Sequence, residues 1–348
     1  MIADDLRPYW AEVGQRWDQT VKMVNTATGD SLPRGVVVEE VKRAPLMAEV
    51  TPIMVVGDRF AGKSALLNRM VGGSGYVPRR TEDHSTHSLV IRGRKRRMHA
   101  TVVVTPGQQF GDEFANGDID AWDAMLEPPN YPAGVIYVVA ERMTRPWTPD
   151  EINIVEQQRR VAETEQRAAL ARELESAWRD TLDHEPSEEE VNANRPAIDE
   201  EVGRRIPSQS EQYWQRSLDS ECRHFELIAR RLLTCWRTGA IAEDLWLVIA
   251  VTKADLHWRD RLNDLKRYYI PSPGVPLSPF GERLTEFIHG FGSGPRPRLA
   301  IVPIAGRREN FSVLPSVAEA TSQLDDIKFD ALQRTFNNTV GEFCGLEI

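Results

Sequence analysis

A chain of 348 residues can bury one large core or two ordinary ones, and its 41% hydrophobic and 27% charged residues match a globular fold. A formal net charge of −9 argues against a field that draws the whole chain to nucleic acid or to anionic membrane, so no nucleic-acid partner is expected. No apolar run is long enough to span a bilayer, the acidic start carries no leader or myristoylation pattern, and Cys344 lies one residue too far from the end for prenylation. Three scattered cysteines (Cys222, Cys235, Cys344) add no metal spacing and suggest a reducing compartment, so a cytoplasmic protein without a stable membrane anchor is expected.

Residues 3–24 set Leu6, Trp10, Val13, Trp17, Val21 and Met23 at largely helical spacing, which predicts an amphipathic helix bracing the fold. A Gly/Pro connector, 29–35, leads to Val36-Val37-Val38 and then to a β-branched run, Ile53 to Val56, that enters Gly57. Gly57-Asp58-Arg59-Phe60-Ala61-Gly62-Lys63-Ser64 fits G-x-x-x-x-G-K-[ST], and Ala65 to Met70 favours helix. Strand, glycine loop and helix are the context a phosphate loop requires. The glycines let the backbone close on a phosphate, and successive N–H groups with the helix N-terminus supply partial positive charge. Lys63 would reach the β- and γ-phosphates and the Ser64 hydroxyl would ligate Mg²⁺. The plainer alternative is a glycine turn before a helix.

A polar loop at 72–86 precedes two β-rich runs, 87–91 and 98–104, joined by the basic turn Arg92 to Arg97; the pattern predicts a hairpin with solvated turn charge. His84 and His87 in this region read as polar residues rather than metal ligands. The second run ends in Val104-Thr105-Pro106-Gly107-Gln108. Further strands are predicted at 133–140, at 245–251 running into Thr252-Lys253-Ala254-Asp255, and at 298–304 ending at Ala305-Gly306, with a terminal helix at 326–343. Strands alternating with helices, with chemistry at the strand C-termini, predict an α/β fold whose mostly parallel, doubly wound sheet is flanked by helices.

Between the strands at 133–140 and 245–251 about a hundred residues intervene, where a crossover needs roughly thirty. Helix starts fall at Thr148, Ser187 and Ser208. The last helix carries the seam Trp214, Leu218, Cys222, Phe225, Ile228, Leu232 and Cys235, which predicts antiparallel hairpin or coiled-coil packing, with Ser187 to Glu201 as its loop. The expected division is an N-terminal helical extension (1–50), a nucleotide domain (51–144 and 240–348) and an inserted helical subdomain (145–239).

With these motifs in order over about residues 50–310, the chain resembles the Ras-like, TRAFAC-type P-loop GTPases, and Pro106-Gly107-Gln108 resembles the switch II of bacterial gliding-motility GTPases. The resemblance implies binding of GTP or GDP with Mg²⁺. Gly57, Asp58, Arg59, Phe60, Ala61, Gly62, Lys63, Ser64 and Ala65 would wrap the phosphates. Thr81, or alternatively Thr86, would cap the metal and γ-phosphate, making Ser64 and Thr81 the metal ligands. Gly107 would donate to the γ-phosphate and Gln108 would position water, with Lys63, Thr81 and, as an internal finger, Arg59 as the other catalytic residues. Thr252, Lys253 and Asp255 would hold the base and Ala305 would meet its O6. A carboxylate at Asp255 can accept from both N1–H and the exocyclic amine of guanine, donors that adenine does not offer in that arrangement.

Val104 stands where most of that family carries a metal-holding aspartate, which weakens the metal site. The implied function is a switch hydrolysing GTP slowly, meeting a protein partner through the switch loops and helical insertion. The alternative is a guanine-nucleotide-binding scaffold without turnover.

Overall fold

The computed structural model describes residues 4–32, 35–42, 49–58, 61–72, 85–105, 126, 131–143, 149–205, 209–239, 245–292, 294–308, 310–312 and 319–348. Among them lie seven strands: β1 (Val37–Glu40), β2 (Val50–Gly57), β3 (Ser85–Arg92), β4 (Arg97–Val104), β5 (Gly134–Val139), β6 (Trp246–Val251) and β7 (Arg298–Pro303). The helices are α1 (Arg7–Thr26), α2 (Lys63–Met70), α3 (Pro149–Arg179), α4 (Glu188–Arg205), α5 (Gln209–Arg237), α6 (Leu262–Tyr269), α7 (Pro279–His289) and α8 (Asp326–Phe343). The strands form one sheet in the order β1-β3-β4-β2-β5-β6-β7. β4, β2, β5, β6 and β7 are parallel, whereas β3 runs antiparallel to both β4 and β1.

The pattern follows from the side chains. β5 and β6 are buried at every position, as strands covered on both faces must be, and they are unbroken apolar runs. α1 and α8 pack on β7 and on each other, and α2 packs on α8. α5 and α6 pack on α7, and α5 also meets β2. The chain leaves β2 towards β4 on one side and crosses to β5 on the other. The end of β2 is therefore a topological switch point, where an α/β sheet opens a crevice beyond the strand C-termini.

The predicted N-terminal helix forms as α1 and buries Trp10, Val13, Trp17 and Val24. The chain then crosses α8, where Asn338 Oδ1 accepts from Val36 N at 2.8 Å, and ends as β1 on the far edge of the sheet. The basic hairpin turn is anchored at its margins, Arg92 to Glu39 (3.0 Å) and Lys95 to Glu347 (2.8 Å).

Two expectations about the helical region need correction. Ser187 to Glu201 is not a loop: it opens helix α4. Ser187 and Glu190 cap it reciprocally, with Ser187 N donating to Glu190 Oε2 at 2.8 Å and Glu190 N donating to Ser187 Oγ at 3.3 Å. The acidic run lies in the first turn, where it complements the helix dipole. The seam of α5 does not close a hairpin with its helical neighbours either. Phe225 meets Tyr137 of β5 (5.1 Å between ring centroids), Phe280 (4.9 Å) and Phe287 of α7, so the seam faces the sheet. It is α3 and α4 that pack on one another. No helix among the described residues is long and apolar enough to cross a membrane.

Candidate functional site

The phosphate-loop motif sits at the switch point. Gly57 is the last residue of β2 and lies beside Val138 of β5; a Cβ there would come within 2.2 Å of the Val138 carbonyl oxygen. Only glycine fits. Gly62 precedes α2 with φ +100°, a backbone that side chains rarely tolerate. Lys63 opens α2 and is buried, its ammonium donating to the carbonyls of Gly57 (2.8 Å) and Asp58 (2.9 Å). The amine thus folds back over the loop, beside backbone N–H groups at the start of a helix. Ser64 and Ala65 follow, half-buried, in the first turn. Arg59 and Phe60 lie outside the described residues, as do Thr81, Gly107 and Gln108. Thr86 is exposed within β3, opposite Val103. Val104 is buried at the end of β4, and Thr105 N donates to Val55 O at 3.1 Å.

The second motif reaches the same place from 191 residues away. The Thr252 hydroxyl lies within hydrogen-bond distance of the Ala61 carbonyl (2.5 Å) and of Val139 O (2.8 Å), tying the end of β6 to the phosphate loop. Ala254 N donates to Ile304 O at 3.2 Å, joining the end of β7. A Cβ on Gly306 would sit 2.9 Å from Ala65 C, so the chain leaving β7 comes up against the first turn of α2, and Ala305 just before it is buried. Lys253 takes a left-handed backbone (φ 57°); its ammonium donates to Met143 O and lies 3.6 Å from the centre of the Phe311 ring.

Asp255 is 1% exposed, and neither carboxylate oxygen has a hydrogen-bond partner among the described residues. Burial pushes its pKa up to about 6, against the counter-pull of the Ser322 hydroxyl, the backbone N–H groups of Asp255 and Leu256, and the Lys253 ammonium. A buried acceptor pair left unsatisfied costs free energy unless a ligand supplies donors. Gln323 holds this loop from outside. Its backbone N donates to Asp255 O (2.9 Å), its amide nitrogen to Leu256 O (3.1 Å) and Asp260 Oδ2 (2.7 Å), and its amide oxygen accepts from Arg259 N (2.5 Å).

α5 brings a polar stripe to the same end of the sheet. Ser220 donates to Asp58 Oδ2 at 2.5 Å. The buried Glu221 accepts from Ala140 N (3.1 Å) and from Tyr269 OH (2.8 Å), and burial raises its pKa to about 8. His224 Nδ1 pairs with Tyr137 OH at 3.0 Å; burial first and Lys63 second hold its pKa down at about 3.

Ser220, Glu221, His224 and Gln323 lie outside the sequence motifs. For Glu221 and His224 a signal existed: they share a helical face with Phe225 and Ile228, where polar residues need a reason, whereas Ser220 carries no such mark. Gln323 follows no pattern.

No protein-family model matches the chain, and no curated protein sequence does. Among solved structures, it is similar to Toc33 from Arabidopsis thaliana, crystallised in complex with Mg²⁺ and GMPPNP, at 12% identity over 84% of this chain and 86% of that one, with a TM-score of 0.32. A likeness that remote says nothing about what binds here.

Proposed function

We propose that the chain is a guanine-nucleotide-binding switch of the P-loop GTPase class that turns GTP over slowly. The observation that carries this reading is the tie between Thr252 and Ala61, which joins the loop bearing the buried carboxylate of Asp255 to the glycine-built loop. The backbone from Gly57 to Ser64 would cradle the phosphates, with Lys63 leaving its carbonyls for their oxygens. Asp255 would accept from the two N–H donors of guanine, with Lys253 along the base face and Ala305 at O6. Arg59, Thr81, Gly107 and Gln108 would complete the catalytic set.

Ser64, in the first turn of α2, fits as a hydroxyl ligand for Mg²⁺, with Thr81 as the second protein ligand. When bound, the metal would neutralise charge between the β- and γ-phosphates. α3 and α4, with Ile154 and Val161 exposed, and the loops at 78–87 and 105–120 are where a protein partner would read the bound state.

Titration with fluorescent GTP, GDP and ATP, followed by phosphate-release assays on wild type and Lys63→Ala, tests the proposal. The expected result is a guanine preference, slow release by wild type and none by the variant. A preference for ATP overturns the base assignment.

One observation favours a second reading. Val104 is a buried hydrocarbon where a metal-holding oxygen would serve, which suits a scaffold that binds guanine nucleotide without hydrolysing it. Binding without any phosphate release selects that alternative.

A further inference from the structure

Two non-glycine residues among those described take a left-handed backbone, Arg142 (φ 60°) and Lys253 (φ 57°). That conformation is costly for a residue with a Cβ and persists only where the surroundings over-determine it, often at functional sites. The two residues meet. Arg142 sits in the turn closed by Met143 N donating to Ala140 O at 2.6 Å, and the carbonyl of that same Met143 accepts from the Lys253 ammonium. Each cation also lies against an aromatic ring: Arg142 over Trp214, 5.5 Å from the ring centre, and Lys253 over Phe311, 3.6 Å from it. The tighter contact belongs to the residue that the proposed function lays along the base.

Phe311 is fixed from its own side. Its N–H and its carbonyl each pair with Ala320 at 2.8 Å, and its half-buried ring packs against the hydrophobic core. Phe311 and Lys253 both make further contacts, so the ring is one hold among several. Its particular share is the ammonium. A π-face attracts a cation without cancelling its charge, as a carboxylate would, and together with Met143 O it fixes the end of the lysine side chain. A four-carbon stem fixed at both ends has lost most of its rotamer freedom. We propose that Phe311 is a positioning residue for the base site: its ring and the Met143 carbonyl hold the Lys253 ammonium, so that the stem is laid out before a purine binds. The inference rests on the proposed guanine site and names a determinant of its affinity outside the sequence motifs. The contact exists before any ligand arrives, so its effect on binding is preorganisation: the base meets an ordered lysine instead of having to order it. That effect belongs to the base and is independent of the number of phosphates.

The test uses the full chain as wild type, Phe311→Leu, Phe311→Tyr, Lys253→Met, and Phe311→Leu with Lys253→Met. Leucine stays apolar but has no π-face, tyrosine keeps the ring, and methionine keeps an unbranched stem without the charge. Thermal melts confirm folding, with Phe311→Met standing in for the leucine should that variant unfold. Titrations use fluorescent GTP and GDP, with tripolyphosphate as a base-free competitor. Phe311→Leu should weaken GTP and GDP alike, about fivefold, the size of ordering one long side chain, and should leave tripolyphosphate unchanged. Phe311→Tyr should keep wild-type affinity. In the Lys253→Met background Phe311→Leu should cost nothing further, because the charge through which the ring acts is gone. A ring that merely filled space would cost the same factor in both backgrounds. Unchanged or tighter binding by Phe311→Leu, an equal loss in Phe311→Tyr or for tripolyphosphate, or a loss that persists beside Lys253→Met overturns the inference and leaves the base site standing. A wild type that binds tripolyphosphate but no guanine nucleotide, or neither, overturns the base site and the inference with it.

Discussion

The two loops that meet at the switch point are built by different means. The Gly57–Ser64 loop is a backbone device: it depends on what glycine lacks, at Gly57 for space and at Gly62 for a positive φ. The Thr252–Asp255 loop is a side-chain device. It ends a fully buried strand, commits a hydroxyl, an ammonium and a carboxylate to defined directions, and depends on a brace from Gln323. The first tolerates change wherever a side chain points outward. The second tolerates little, because its groups are buried and an unpaired one is costly.

The sharpest break in that contrast is Gly57→Ala. A methyl 2.2 Å from the Val138 carbonyl forces β2 and β5 apart, so a loss of about 2–3 kcal/mol in stability and about a hundredfold in nucleotide affinity is expected in denaturant titration and ligand binding. Next comes Asp255→Asn. Guanine affinity should fall about a hundredfold and xanthine binding should appear, since an amide donor meets the xanthine 2-oxo group where the carboxylate met an amine.

The same substitution should stabilise the ligand-free protein, by on the order of 1–2 kcal/mol near neutral pH. Asp255 is held at about 6, above its ordinary value of about 3.9 in an unfolded chain, so the folded state takes up a proton between those values that the unfolded state does not. This group therefore adds stability as pH falls from about 6 towards 4 and withdraws it as pH rises, and Asp255→Asn should flatten that slope.

A smaller effect follows in binding. If only the ionised carboxylate accepts from guanine, affinity should drop about tenfold between pH 7 and pH 5, a drop absent for tripolyphosphate. Smallest is Gln323→Leu, which frees the brace: a few-fold loss for guanine nucleotides with no change for tripolyphosphate, read by competition titration. An equal loss for both ligands in this last pair would erase the distinction between the loops.

The difference between the loops also explains what the sequence disclosed. Glycine spacing, the Lys-Ser pair and unbroken β-branched runs are local requirements, so the glycine loop between strand and helix and six of the seven described strands were legible, while β1 was not named as a strand. The seam of α5 was visible too, but a spacing of three and four is the same whether a helix packs on a helix or on a sheet, and Phe225 meets Tyr137 of the sheet as well as Phe280 and Phe287 of α7. The acidic run at 187–201 looked like a loop because charge without apolar periodicity resembles solvated coil; its capping box, Ser187 with Glu190, was the better signal. Ser220 and Gln323 carry no local mark. Each matters through a partner 162 or about 65 residues away, and only the tertiary fold brings these together.

The brace on the base loop also has a consequence for biosynthesis. Gln323 and the α8 residue Asn338, which receives the crossing N-terminal segment through Val36, emerge from a ribosome after every strand of the sheet. A nascent chain that has released β2 and α2 owns a phosphate loop, yet neither the brace on Asp255 nor the tether that carries β1 to the far edge. Under the proposed function, competence to select a base would be acquired late in synthesis, after the means to hold phosphate. Chains halted before residue 323 should bind tripolyphosphate without distinguishing guanine, if they hold their fold at all.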